Sequence, residues 1–206
     1  AVPAKRGTKF AYLSSGTWSL LGVELEKPII TSLARSYNFT KEVGVFDTIR
    51  LLKNITGLWV VQECRRIWKE QGNDWSYRDL GEMASGAKRL QSFIDPDDVR
   101  FAGRCNMPLV IQNYCRETGQ DVPEGPAEIL RLVTDSLAMK IRFVLERLEE
   151  VIGYRIEVLH IIGGGGQNDQ LNRSIASSID RPVVVGPYEA TAVSYTHLTL
   201  PTNCVV

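Results

Sequence analysis

Val158-Leu159-His160-Ile161-Ile162-Gly163-Gly164-Gly165-Gly166-Gln167-Asn168 decides how this chain is read. An apolar run of strand formers ends in four glycines, and polar residues lead into an amphipathic run through Leu171, Ile175 and Ile179. The pattern predicts a buried strand, a tight turn and a helix N-terminus. Glycines let backbone approach a ligand closely, and a helix N-terminus offers unpaired N–H groups to an anion or nucleotide. The spacing lacks the Gly-Lys-Ser/Thr of a Walker loop and is not a Gly-x-Gly-x-x-Gly dinucleotide turn. Alone, such a turn is structural as readily as it is ligand-holding.

Upstream, Phe10-Ala11-Tyr12-Leu13-Ser14-Ser15 and Trp18-Ser19-Leu20-Leu21-Gly22-Val23 flank Gly16-Thr17. Two β-rich runs joined by a small polar turn predict a hairpin. Its tip could bring N–H and hydroxyl donors to phosphate oxygens, or be a turn with no ligand. A further strand is expected near Arg35 to Phe39. From Thr56, a plausible N-cap, Leu58, Val61, Cys64, Ile67 and Trp68 recur at helical spacing. Asn54 precedes that helix and Gln62 lies one turn beyond Leu58; singly, either reads as a solvated polar residue.

A short helix is expected over 77–85, and Asp95-Pro96-Asp97-Asp98 reads as a solvated turn, without the glycine and terminal glutamate of a calcium loop. A helix from about Pro108 runs to Gly119. The longest helical stripe spans Glu128 to Val151, between Pro126 and Gly153, and is expected to pack on the sheet holding Val158 to Ile162. Arg181 to Val185 reads as a last strand, ended by Gly186-Pro187.

Composition narrows the classes. The 206 residues suffice for one domain with a substantial core. Lysine plus arginine and aspartate plus glutamate both number 24, and no basic run suggests nucleic acid or an anionic membrane. Apolar stretches fall short of a bilayer span, so a soluble, cytoplasmic protein is expected. Four cysteines without Cys-x-x-Cys spacing and two histidines argue against structural zinc, and reduced thiols are expected.

Three features then occur together and in order: Ser14-Ser15-Gly16-Thr17-Trp18, Asn54-Ile55-Thr56-Gly57-Leu58-Trp59 with Gln62, and the late strand with its glycine turn. Cys115-Arg116-Glu117-Thr118, Asp135-Ser136-Leu137-Ala138 and Gly186-Pro187-Tyr188-Glu189-Ala190 add to them. Over residues 1–192 the chain resembles the C-terminal lobe of FGGY-class carbohydrate kinases, nearest to their rhamnulokinase branch. The resemblance implies an α/β fold, an actin-like ATPase lobe of the ribonuclease H type with a mixed sheet flanked by helices. It implies ATP and Mg2+ as cofactors, an N-terminal lobe as partner, and γ-phosphoryl transfer to the 1-hydroxyl of L-rhamnulose. Carried over by position, Thr17, Gln62 and Gly164 would hold the nucleotide and Asn54 would face the substrate.

The chain departs from that pattern at both ends. The family's general-base aspartate sits just before the hairpin, whereas no aspartate precedes Asp47 here. The fragment alone is therefore expected to be inactive. Residues 193–206 resemble translated adapter sequence and are expected to be a non-native tail. A non-catalytic actin- or chaperone-like nucleotide module is the alternative; a Rossmann-type enzyme is disfavoured because no strand–glycine–helix unit opens the chain.

Overall fold

Alternation in Phe10–Ser15 puts Ala11 and Leu13 on one side of a strand and Tyr12 and Ser14 on the other. In the computed structural model, which describes residues 7–44 and 47–186, that strand is β1. It turns at Gly16-Thr17 into β2 (Trp18–Leu25), antiparallel to it with Tyr12 opposite Gly22. β4 (Ile49–Thr56) runs antiparallel along β2, and β3 (Thr40–Val43) along β4. On the other side, β5 (Val158–Ile162) and then β6 (Val183–Val185) add in parallel. The sheet order is β3-β4-β2-β1-β5-β6, a mixed sheet with β1 near its centre.

One face of the sheet carries Ala11, Leu13, Leu21, Val23, Leu51, Ile55, Leu159 and Ile161, all buried. Against it lies α5 (Pro126–Ile152), which packs over β2 and β4. Its apolar stripe includes Val133, Leu137, Ile141, Val144 and Leu148. Pro126 opens α5 where a missing N–H is harmless, and Gly153 closes it in the left-handed region. Around α5 stand α2 (Trp59–Glu70), α3 (Tyr77–Gly86), α4 (Met107–Glu117) and α6 (Asp169–Ile179).

Inside this layer, Arg131 and Asp135 form an ion pair at 3.0 Å with side chains only 4% and 2% exposed. Asp135 also accepts from Leu90 N at 2.9 Å and from the Ser174 hydroxyl at 3.3 Å. This one carboxylate ties α5 to α6 and to the segment after α3.

Two expectations need correction, and a third gains a detail. The segment near Arg35 to Phe39 is not a strand: Thr31 Oγ1 accepts from Ala34 N at 3.1 Å and caps α1 (Ser32–Ser36). Asn38 then turns in the left-handed region that asparagine tolerates, and the strand comes later as β3. Thr56 is no N-cap but the last residue of β4, paired opposite Trp18, and α2 starts three residues on. The aspartate turn is solvent-facing as expected, with Asp95 and Asp97 exposed, and it is also held by ion pairs. Lys140 Nζ on α5 reaches Asp95 Oδ1 at 2.8 Å and Asp97 Oδ2 at 2.9 Å, while Asp98 caps the 3-10 turn Val99–Phe101. The last strand ends at Val185, before Gly186 (φ 111°), as expected, while Pro187 and the tail over 193–206 lie outside the described residues.

The opposite face of the sheet carries the row Thr40, Leu52, Gly22, Tyr12, His160 and Val184, aligned by the strand registers. His160 is 3% exposed, edge-on to Phe10 at 5.6 Å between ring centres, and its Nδ1 has no partner. Burial lowers its pKa below the ordinary 6.5.

Two outcomes follow. Asp135→Ala, which strands Arg131 in the interior, should cost about 3–5 kcal/mol by urea denaturation, and an Arg131→Met/Asp135→Leu double variant much less. The unfolded chain protonates His160 near pH 6.5 while the fold resists it. Stability should therefore fall as pH drops from 7 through 6.5 towards the lower folded value, by at most about 1.4 kcal/mol per unit. His160→Gln should flatten that slope in a pH series of urea midpoints.

Candidate functional site

Where β1 turns into β2, two backbone carbonyls have left the sheet. Gly16 O accepts from Leu58 N at 2.9 Å and Thr17 O from Trp59 N at 3.1 Å. The first turn of a helix has N–H groups with no intrahelical partner. At α2 no side chain caps them, and the hairpin tip does. This is why Thr56 stays in the sheet: the cap it would have supplied is already filled. Gly57, between strand and helix, must lack a side chain, since a Cβ there would stand 2.5 Å from Gly16 O.

One turn into α2, Gln62 Nε2 donates to Thr17 Oγ1 at 3.0 Å. With an oxygen lone pair so occupied, the exposed Thr17 hydroxyl keeps its own hydrogen to donate outward. The tip carbonyls of Gly16 and Thr17 are turned to α2, which removes acceptors that would repel an anion.

The glycine turn abuts the same tip. β5 runs beside β1 with Ile162 opposite Ser14, and Gly163 (φ 86°) bends the chain into the 3-10 turn Gly164–Gln167. Gly165 presses on Ser15 so closely that a Cβ would lie 2.8 Å from Ser15 Cβ. Gly164 is exposed with open space where its Cβ would be. Asn168 Oδ1 then caps α6 by accepting from Leu171 N at 3.0 Å, and Asn172 Nδ2 donates to Gly166 O at 2.7 Å. A cavity of about 10 Å³ beneath the tip, lined by Ser15, Ser19, Thr56, Leu137 and Leu171, shows how tightly it is backed.

Of the residues singled out from sequence, Thr17 and Gln62 touch, and Gly164 stands on the turn packed against the strand that leads to Thr17. Asn54 stands apart. It is exposed on β4, opposite Leu20, on the sheet face away from α5. Trp18, beside Thr17, is 51% exposed, an unusual cost for a tryptophan. Sequence reasoning missed Gly57 and Gly165, whose closeness to the tip no spacing reveals, and Asp97, whose carboxylate accepts from Thr56 N at 2.7 Å. Among the described residues no group of three His, Cys, Asp or Glu could hold a metal ion, and no helix is long and apolar enough to cross a membrane.

A mixed sheet backed by helices, whose first hairpin and late glycine turn meet at one tip, has the actin-like ATPase fold. The chain belongs to the FGGY family of carbohydrate kinases, whose C-terminal domain matches residues 11–194. It is similar to the rhamnulokinase of Bacteroides thetaiotaomicron, 50% identical over 193 residues, which is 94% of this chain and 39% of that protein. The rhamnulokinase of Bacillus subtilis is 44% identical over 183 residues, 89% of this chain and 37% of that one. The chain thus spans well under half the length of the curated relatives it matches.

Solved structures agree on the fold. Xylulose kinase from Rhodospirillum rubrum superposes with a TM-score of 0.63 at 11% identity, covering 87% of this chain and 35% of that one. Plasmodium falciparum glycerol kinase with ADP gives 0.58 at 13%, with the same coverage of 87% and 35%.

Gly165→Ala and Gly57→Ala should each destabilise the fold by about 1–3 kcal/mol, because strand and tip backbone must shift to admit a methyl. Gly164→Ala, facing open space, should cost less than 1 kcal/mol. Thermal unfolding of the three variants checks the order.

Proposed function

We propose that this chain is the nucleotide-binding lobe of a rhamnulokinase-like sugar kinase, which transfers the ATP γ-phosphoryl group to the 1-hydroxyl of L-rhamnulose. The Gln62–Thr17 hydrogen bond carries this reading: it occupies a lone pair of the threonine oxygen and leaves the hydroxyl hydrogen free to donate, on a tip whose Gly16 and Thr17 carbonyls are engaged by α2. Similarity to rhamnulokinases over nearly the whole chain supplies the reaction class.

In this reading Thr17 donates to a phosphate oxygen, Gln62 holds Thr17, and Gly164 lets the adenosine side approach the backbone. Asn54, exposed on the far face of β4, meets the substrate. The donors are neutral, and their contribution is placement, which dominates phosphoryl transfer. Mg2+ enters with the triphosphate, since magnesium in such sites sits largely on phosphate oxygens and water. The general base and most of the sugar pocket come from the N-terminal lobe, beyond residues 1–192, and the lobe alone is inactive. Residues 193–206 are a non-native tail in this reading, and a cytoplasmic location fits it. A non-catalytic nucleotide switch on the same fold would share Thr17 and Gln62 but would not use a ketose.

The test has two arms. Isothermal titration of the chain with MgATP should show binding that Thr17→Val weakens about tenfold, the loss of one hydrogen bond to a charged group. The gene completed to the length of its relatives should phosphorylate L-rhamnulose, while the 206-residue chain should not. Turnover of another ketose alone would move the substrate assignment. Nucleotide binding with no sugar turnover by the completed protein would favour the switch, and no nucleotide binding at all would end both readings.

A further inference from the structure

The N–H of Thr56 at the end of β4 goes to a side chain, Asp97 Oδ1, at 2.7 Å. Asp97 lies 41 residues further along the chain, in the turn after Ile94. Its other oxygen meets Lys140 Nζ at 2.9 Å, and Lys140 also meets Asp95 Oδ1 at 2.8 Å. The lysine side chain is 14% exposed and projects from α5, the helix that backs β2 and β4. One residue beyond Thr56 comes Gly57, then Leu58 and Trp59, whose N–H groups hold Gly16 O and Thr17 O.

We propose that Asp97, held by Lys140, is a positioning residue for the nucleotide-facing tip: it anchors the strand end from which α2 grips Gly16 and Thr17. The inference rests on the nucleotide reading above.

The choice of chemical group supports it. An N–H bonded to a carboxylate makes a shorter and stronger hydrogen bond than one bonded to a neutral acceptor. An uncompensated carboxylate this close to Gly57 would repel an arriving triphosphate, and Lys140 supplies the compensating charge. Burial alone would raise the Asp97 pKa, but the Thr56 N–H and the Lys140 ammonium outweigh it and hold it below the usual carboxylate range. For Lys140, burial would lower the pKa, but its bonds to Asp95 and Asp97 raise it. Both groups therefore stay charged through neutral pH. Asp97 touches no ligand in this scheme and works through Thr56, Leu58, Trp59 and Gln62.

The experiment pairs amide hydrogen exchange of Leu58 and Trp59 in the ligand-free chain with MgATP titration, for wild type, Asp97→Ala, Asp97→Asn and Lys140→Met. Asp97→Ala should speed exchange at both amides about tenfold and weaken MgATP by about fivefold or more. Asp97→Asn keeps an acceptor for Thr56 N and should restore both to within about threefold, which loss of general stability would not do. Lys140→Met should fall between them, and it decides the matter if Asp97→Ala fails to fold. Unchanged exchange in Asp97→Ala, or in Lys140→Met where the former is unfolded, overturns the proposal, as does equal damage by Asp97→Asn and Asp97→Ala. If wild type binds no MgATP the nucleotide reading fails by itself, while the exchange measurements still decide whether Asp97 positions the tip.

Discussion

The structure depends on a helix capped by a hairpin. Two N–H groups at the start of α2 need partners, and the carbonyls of Gly16 and Thr17 are the partners they find. That exchange sets several things together. It bends the tip away from regular pairing, requires glycine at position 57 and brings Gln62 within reach of Thr17. It leaves donors, rather than acceptors, on the outer side of the tip. In the nucleotide reading proposed above, this tip would meet a polyanion through neutral donors rather than a lysine or arginine.

Much of this was legible in the sequence, and the parts that were not have a common cause. Strand alternation in Phe10–Ser15, the apolar stripe of α5 and the glycines after Ile162 are local signals, and each produced the element expected. Thr17, Gln62 and Gly164 could be singled out because the motifs holding them are long and ordered. Thr56 misled because a threonine before a helical pattern looks like a cap, and only tertiary structure shows the cap already supplied. Likewise the sequence shows Asp95 and Asp97 only as a solvated turn, and their pairing with Lys140, some forty residues away in sequence, is visible only in the fold. The segment around Arg35 failed for a smaller reason: Thr31 offered a local cap that propensity reasoning had not weighed.

Charge is used in two distinct ways. Where it is buried it is paired and tied into backbone, as in Arg131–Asp135 with Leu90 N, and the partly exposed Lys140–Asp97 pair is tied in the same way to Thr56 N. Such pairs add little net stability over apolar packing, yet losing one partner is expensive, so they enforce one arrangement of the elements they join. Where charge is exposed, as in Arg78–Glu82 or Arg142–Glu146 along single helices, it contributes a few tenths of a kcal/mol each and fixes nothing distant.

The parallel pairing of β1 with β5 joins opposite ends of the described chain; Lys9 and Glu157, just ahead of that pairing, bond across 148 residues. The tip and the glycine turn that meets it are thus made at very different times during synthesis. The hairpin leaves the ribosome before α5 and β5 do, so the surface it shares with Gly165 cannot exist until the long helix and its following strand have emerged. Such distant pairing is slow to form because a large loop must close first. The unfinished chain in the meantime presents β1 as an open sheet edge, with one face apolar. Until β5 docks, that edge is where a nascent chain of this kind is most exposed to pairing with a neighbour.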